Sequence, residues 1–247
     1  MNSVIKVEHL NIAYDDFIVL EDASFEVNEG EIFTILGGSG GGKTTLMRQL
    51  IGLEKPNSGS ILINGIDIAH ASANSQKIVH QNMGVMFQSG ALLSSLTLLE
   101  NVLLPLTAHS ELPDDLAREC ALLKLRLVQL EKYANFYPAN ISGGMVKRAA
   151  IARAMALDAR IIFLDEPSAG LDPISHHELD NLIAGLAHNF NITFVIVTHE
   201  LATITSIADR AIILNNKKIV AQGSISYLMN EVDIPFVKKF FNIPNEK

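Results

Sequence analysis

The sequence contains few of the cysteines that a disulfide framework requires and few of the aromatic residues on which nucleic acid bases stack. Its 247 residues include no tryptophan, four tyrosines and one cysteine, Cys120. A single cysteine cannot form an intrachain disulfide, which suits a reducing compartment. Few aromatic rings are available for base stacking, and the formal net charge of -8 disfavours broad binding to nucleic acid backbones. We therefore expect no nucleic acid partner.

Long hydrophobic runs are also missing. No stretch approaches the ~18 consecutive apolar residues that a membrane-spanning helix needs. Residues 1–10 alternate apolar and charged side chains, which is not the pattern of a secretory signal. We expect a soluble or peripheral protein. Because its negative charge disfavours adhesion to anionic lipid, another protein would have to hold it at a membrane.

Glycine, by contrast, is concentrated in one place. Residues 37–44 read GGSGGGKT, which matches the phosphate-loop pattern G-x-x-x-x-G-K-[ST]. Backbone NH groups of such a loop surround a β-phosphate, while Lys43 would add a positive charge and the Thr44 hydroxyl a ligand for Mg2+. The expected nucleotide contacts are Gly37, Gly38, Ser39, Gly40, Gly41, Gly42, Lys43, Thr44 and the neighbouring Thr45. The sequence thus predicts a site for a nucleoside triphosphate.

Hydrophobic periodicity predicts an antiparallel layer. Residues 5–14, 18–27 and 61–68 alternate as half-buried strands do, and Asn64-Gly65 has the composition of a two-residue hairpin turn.

Three further runs are mainly apolar and are followed by polar residues. Residues 32–36 end at the phosphate loop, residues 160–164 end at Asp165, and residues 192–197 end at Thr198-His199. Buried strands with polar residues at their carboxyl ends are typical of a parallel α/β sheet with a ligand crevice.

Helical patterns surround these strands. Residues 44–53 are expected to form a helix after the phosphate loop, and another helix should begin near Glu200. Between about residues 89 and 155 the pattern indicates an inserted α-helical subdomain, with a capping box at residues 97–100. Asp172 precedes Pro173 and is a predicted N-cap.

Two adjacent carboxylates follow one of the buried strands. Asp165 and Glu166 would repel each other there unless a cation compensates them. Asp165 suits contact with Mg2+, and Glu166 suits the general base that polarises an attacking water. Gln88, where the sheet gives way to the insert, could reach the metal or the water. His199 could meet the γ-phosphate and hold the water or Glu166 in place.

A second glycine motif lies 99 residues beyond Lys43. Ser142, Gly143 and Gly144 open the run SGGMVKRAAIARAM, which is expected to be helical. A helix N-terminus favours bound phosphate. Since an insert cannot easily fold back on its own phosphate loop, we expect these residues to close over a nucleotide held by a second copy.

In this order, the motifs resemble the nucleotide-binding subunit of the ATP-binding cassette (ABC) superfamily. The resemblance covers the chain through about Gly223 and implies an α/β P-loop NTPase (RecA-like) fold, with a mixed sheet core, an antiparallel β layer and the helical subdomain inserted at about 89–155. Residues 224–247 would form a C-terminal helical tail.

The resemblance also implies residue roles. Tyr14 would lie against the adenine of ATP, residues 142–145 would be the signature, and Asp172 would end the D-loop that begins at Ala169. Gln88 would be the Q-loop glutamine, Asp165-Glu166 the Walker B pair and His199 the switch histidine. Met145 replaces the glutamine usual in the family, and we expect this departure to be tolerated because backbone groups make the phosphate contacts.

Within the superfamily, residues 87–93, 142–150 and 172–174 resemble the ATPase subunits of Mla-type phospholipid transport systems. This implies ATP hydrolysis, with Mg2+, by a homodimer coupled to a separate integral membrane permease at the cytoplasmic face of the inner membrane. It also allows a small regulatory subunit and a periplasmic lipid-binding component. Residues 88–106 would be the surface that receives the permease.

Other interpretations stay open at this point. A soluble ABC ATPase of the iron-sulfur cluster assembly type has the same length, and a non-hydrolysing scaffold module is disfavoured by Glu166 and His199. The tail offers two alternatives as well. The apolar residues of the segment 235–241 either cover their own domain or pack on a second copy or a small regulatory subunit.

Overall fold

The computed structural model describes residues 2–38 and 40–241. One of its two sheets is antiparallel. Its strands are β1 (Ser3–Tyr14), β2 (Phe17–Asn28), β4 (Ser58–Ile63) and β5 (Ile66–Asp67), in the spatial order β2-β1-β4-β5. Between β4 and β5, Asn64 and Gly65 have φ values of 49° and 79°, as a type I′ turn requires. The predicted antiparallel layer and its hairpin are confirmed.

The other sheet is mixed. In spatial order its strands are β10 (Lys218–Ser224), β9 (Arg210–Asn215), β3 (Ile32–Gly37), β8 (Thr193–Val197), β7 (Ile161–Asp165) and β6 (Met83–Met86). All neighbours are parallel except β10 and β9. Strands β3, β7 and β8 are buried throughout, which explains their apolar sequences. Ile35 and Asp165 both pair with Val197, so the carboxyl ends of these strands meet at one edge.

Helices surround the mixed sheet. Outside the insert they are α1 (Lys43–Leu50), α2 (Ala73–Gln81), α6 (Pro173–Phe190), α7 (Leu201–Ile207), α8 (Ile225–Asn230) and α9 (Pro235–Phe240). Helix α1 ends before the predicted residue 53 because Gly52 adopts a left-handed φ of 71°. The Asp172 carboxylate accepts from the NH groups of Ile174 and Ser175 at 3.0 and 3.1 Å, which confirms the predicted N-cap of α6.

The insert contains α3 (Leu98–His109), α4 (Asp114–Leu127) and α5 (Gly143–Ala154). The predicted capping box is present at the start of α3, where Thr97 and Glu100 exchange hydrogen bonds. On α4 the leucines at positions 116 and 123, which are seven residues apart and so fall on one helix face, do not form the buried face. Leu116 and Leu123 are 54% and 47% exposed, whereas Ala117 and Ala121 are buried. Small side chains face the core here, so α4 can approach its neighbours α3 and α5 closely.

Helix α9 packs on its own domain. Val237 and Phe241 are buried in a cluster with Leu228 of α8 and Ile213 of β9, and Phe236 packs against that cluster. The described part of the tail therefore agrees with the alternative in which it covers its own domain. The rest of the predicted tail, which includes Pro244 as the expected end of this segment, lies outside the described residues.

No helix within residues 2–38 and 40–241 is both long and apolar enough to cross a bilayer.

Candidate nucleotide site

The phosphate loop joins β3 to α1 and is held by its own lysine. The Lys43 ammonium donates to the carbonyl oxygens of Gly37 and Gly38 at 2.9 and 3.0 Å. Gly42 has a φ of 85°, and a Cβ there would lie 2.8 Å from a methyl group of Val19, so this position requires glycine. Burial lowers the pKa of Lys43, while the charges of Glu166 and Asp165 oppose that shift. Of the expected phosphate contacts, Ser39 lies outside the described residues.

Thr44 and Asp165 meet at the start of α1. The Thr44 hydroxyl donates to a carboxylate oxygen of Asp165 at 3.5 Å. Asp165 is 6% exposed, and burial, followed by the charge of Glu166, raises its pKa. A hydroxyl and a carboxylate oxygen are the hard ligands that Mg2+ prefers, so these residues fit the ion.

Glu166 and His199 form the second pair of the site. His199 Nδ1 lies 2.7 Å from Glu166 Oε1. The other carboxylate oxygen, Oε2, is buried and has no hydrogen-bond partner among the described residues. Glu166 also has a φ of 46°, a left-handed conformation that is strained for a residue with a side chain. A buried, unpartnered oxygen on a strained residue is suited to receiving a ligand or a water molecule.

Gln88 follows β6 in an exposed loop. One residue, Lys147, contacts the backbone of both this loop and the loop that contains Glu166, and the sequence analysis did not identify it as functional. The buried Lys147 ammonium donates to the Gln88 carbonyl oxygen and lies 3.5 Å from that of Glu166. The available signal was that Lys147 precedes Ala150 and Ile151 by three and four residues, so on a helix it shares a face with apolar side chains.

The signature residues lie at an exposed helix start. Ser142 is the N-cap of α5, and its hydroxyl accepts from the Met145 NH at 3.3 Å. Methionine at position 145 thus leaves the helix N-terminus intact. A Cβ at Gly144 would lie 3.5 Å from Ser175, the residue whose NH and hydroxyl bind Asp172. The predicted signature is therefore next to the predicted D-loop of the same chain.

Tyr14 lies at the end of β1. The residue is 46% exposed, and its hydroxyl donates to the Glu54 carboxylate, which raises the pKa of Tyr14. Glu54 also accepts from Arg48 at 3.3 Å. The side chain of Thr45, in the first turn of α1, opposes this rise in the pKa of Tyr14. An exposed aromatic face thus lies beside the helix that follows the phosphate loop.

The structure brings together Lys43, Thr44, Asp165, Glu166 and His199 at the carboxyl edge of the mixed sheet. A phosphate loop, a carboxylate pair, a histidine and, on the insert, a separate helix that begins with a serine N-cap and two glycines define the class of nucleotide-hydrolysing cassettes.

The chain belongs to the ABC transporter family, whose sequence model matches residues 20–169. It binds ATP and is an ATPase of this family. It is 38% identical over 236 residues to the intermembrane phospholipid transport system ATP-binding protein MlaF of Haemophilus influenzae, covering 96% of this chain and 89% of that protein.

Two further similarities bear on function. The probable ribonucleotide transport ATP-binding protein mkl of Mycobacterium leprae is 37% identical over 242 residues, 98% of this chain and 70% of that protein. A dimeric ATP-binding cassette, solved in a post-hydrolysis state with ADP and Pi, superposes with a TM-score of 0.81 at 29% identity, covering 90% of this chain and 98% of that one.

Proposed function

We propose that this chain hydrolyses ATP to drive phospholipid movement by a separate membrane permease. The observation that carries the proposal is the Glu166 carboxylate: one oxygen is held by His199, and the other is buried and accepts no hydrogen bond from any residue that the structure describes. Such a group can hold an attacking water and accept its proton. The similarity to a phospholipid transport ATP-binding protein supports the choice of substrate.

Each residue has a defined part in this proposal. The phosphate-loop NH groups and Lys43 bind the phosphates, and Tyr14 stacks on the adenine. Thr44, Asp165 and Gln88 would hold Mg2+, which supplies charge compensation to the β- and γ-phosphate oxygens.

Glu166 takes a proton from the attacking water. The water oxygen bonds to the γ-phosphorus while the bond between that phosphorus and the bridging oxygen of ADP breaks. His199 holds Glu166 in place for this step, and can also approach the γ-phosphate.

The proposed working form is a homodimer with two ATP molecules between the copies. Ser142, Gly143 and Gly144 of one copy would contact the nucleotide on the phosphate loop of the other, with Asp172 at the same junction. Two observations support this: the signature lies beside the D-loop on an exposed surface, and a structurally similar cassette is a dimer. In a hydrolysis-deficient variant, the molecular mass measured in solution should double when ATP is added. A mass that stays monomeric at saturating ATP contradicts the dimer.

The remaining proposals concern assembly. Residues 1–223 would form the nucleotide-binding domain and residues 224–247 a tail, with the insert at 89–155. The subunit would bind the cytoplasmic face of the inner membrane through a permease, with a small regulatory subunit and a periplasmic lipid-binding component as further partners. The relatives reported above are transport proteins, which gives the cluster-assembly alternative no support.

Copurification and reconstitution test the transport function. The tagged chain should bring down an integral membrane protein from detergent-solubilised membranes. In vesicles, ATP should drive movement of labelled phospholipid. Because one relative is named for ribonucleotide transport, a labelled ribonucleotide is the matched control. Movement of the ribonucleotide but not of lipid would overturn the substrate assignment, and the absence of any copurifying membrane protein would overturn the transport role.

A further inference from the structure

Lys147 is a buried cation in the helix that begins with the signature. It is 7% exposed, although no carboxylate of the described residues forms an ion pair with it. Its ammonium instead faces two backbone carbonyl oxygens, those of Gln88 and Glu166. Burying an ammonium is costly unless hydrogen bonds compensate it, so these contacts fix where its side chain lies.

The two carbonyl groups belong to different loops of the nucleotide site. Gln88 is in the loop between β6 and the insert, and Glu166 directly follows β7. Glu166 has a left-handed backbone, which persists only where its surroundings hold it. The Glu166 NH donates to the Val197 carbonyl at 2.8 Å, and the Lys147 ammonium approaches the Glu166 carbonyl oxygen from the side of the insert. Movement of Lys147 would therefore change the position of Glu166, the proposed general base.

The same helix also reaches the second nucleotide of the proposed dimer. Ser142 and Gly143 are exposed at the N-terminus of α5, and Lys147 follows Ser142 by five residues. At 1.5 Å per residue, their separation along the helix axis is about 7.5 Å. The start of this rigid helix would therefore face the nucleotide bound to the partner copy. About a turn and a half further on, Lys147 contacts the two loops that act on the nucleotide of its own copy.

We propose that Lys147 is a positioning residue that couples the two nucleotide sites of the dimer. The inference rests on the proposed dimer. When ATP on the partner copy binds the N-terminus of α5, the helix shifts as a unit, and Lys147 carries that shift to the Gln88 and Glu166 loops. Hydrolysis in one site then depends on the nucleotide in the other.

The test compares two buried lysines of the insert. Lys147→Met keeps an apolar stem and removes the ammonium. Lys124→Met is the matched control, because Lys124 is 8% exposed and its ammonium binds Asp158, which forms no hydrogen bond to either loop among the described residues. For each purified full-length variant, the ATPase rate is measured against ATP concentration, together with the unfolding midpoint and the binding of a non-hydrolysable ATP analogue to the monomer.

We expect Lys147→Met to lower kcat roughly ten- to a hundredfold, the size of effect typical of a lost charged hydrogen bond. Its Hill coefficient should fall towards one, while analogue binding to the monomer changes by less than about twofold. Lys124→Met should keep the parental Hill coefficient even if its unfolding midpoint falls. A folded Lys147→Met with the parental Hill coefficient, or equal losses of cooperativity in both variants, overturns the proposal.

Two controls keep the result decisive. If Lys147→Met does not fold, Lys147→Gln, whose uncharged side chain is one atom shorter, replaces it with the same two outcomes. The dimer itself is tested in the unmodified protein. A parental Hill coefficient of one, without ATP-dependent dimerisation, contradicts the proposed dimer and the coupling with it. A cooperative parental enzyme with an equally cooperative Lys147→Met contradicts the coupling alone.

Discussion

His199 Nδ1 lies 2.7 Å from Oε1 of Glu166, although 33 residues separate the two in the chain. Their strands, β7 and β8, are parallel neighbours, so the residues that follow these strands emerge side by side at the same edge of the sheet. The contact leaves the buried Oε2 of Glu166 available to a water molecule.

Glu166→Gln should retain ATP binding and lose hydrolysis. The amide has the same shape and can still accept a hydrogen bond from His199, but it cannot take a proton from water. Removing a general base typically costs roughly two to four orders of magnitude in rate. The measurements are ATPase turnover and ATP binding, with the dimer expected to accumulate. Turnover near the parental rate would show that Glu166 is not the base.

His199→Ala should lower kcat roughly ten- to a hundredfold, because Glu166 loses a charge-assisted hydrogen bond. Binding of ATP should change less, since the loop NH groups and Lys43 are untouched. His188→Ala is the control, an exposed histidine near the end of α6. Steady-state kinetics separate kcat from KM. Equal effects of the two substitutions would exclude the positioning role of His199.

Lys43→Ala should act earlier, on nucleotide binding itself. The ammonium is held at the mouth of the loop by the carbonyl groups of Gly37 and Gly38, where it can reach a phosphate. Its loss should weaken ATP binding roughly ten- to a hundredfold. Equilibrium binding of a fluorescent ATP analogue measures this, with the exposed Lys55→Ala as control. If the affinity for ATP is unchanged but turnover is lost, Lys43 acts in catalysis and not in ATP binding.

Leu93→Asp should abolish transport and spare the basal ATPase of the isolated subunit. Leu93 is 45% exposed, and its backbone is held by the buried Asn101 side chain, so a charge there alters the proposed permease surface without disturbing the fold. Leu92 is less suitable because it packs against the core. Leu116→Asp, at another exposed leucine of the insert, is the control. Loss of both activities in Leu93→Asp would indicate a packing role.

Deleting residues 233–247 should lower the melting temperature and leave assembly intact, because α9 fills a core cluster of its own domain. Val237 is fully buried, and Val237→Ala should reduce the free energy of unfolding by about 2 kcal/mol. Lys239→Ala, on the exposed side of the same helix, is the control. Chemical denaturation and copurification are the measurements. An unchanged melting temperature with loss of the dimer or of a small partner would instead place an interface at α9.

Local sequence patterns were sufficient to predict features in which a particular residue type is preferred for a particular backbone geometry. Asn64-Gly65 predicts its turn because both residues tolerate positive φ, and Thr97 and Glu100 predict their capping box from spacing alone. The mainly apolar strands and the loop at 37–44 could be recognised for the same reason. These features depend on interactions within a few residues.

Features that depend on packing between distant elements could not be predicted. Helix α4 carries apolar residues on more than one face, and only contact with α3 and α5 decides that Ala117 and Ala121 are buried while Leu116 and Leu123 are exposed. The hydrogen bond of Tyr14 to Glu54 joins residues that no spacing rule relates.

The family, the phosphate loop and the candidate residues could be identified from the sequence, because each rests on a short motif with its own local chemistry. How those residues act on one another depends on the tertiary structure. The strain at Glu166, the pairing of its carboxylate with His199 and the placement of Lys147 against Gln88 all arise where β6, β7, β8 and α5 converge. Contacts of this kind are fixed by the packing of whole elements, which no local pattern of residues specifies.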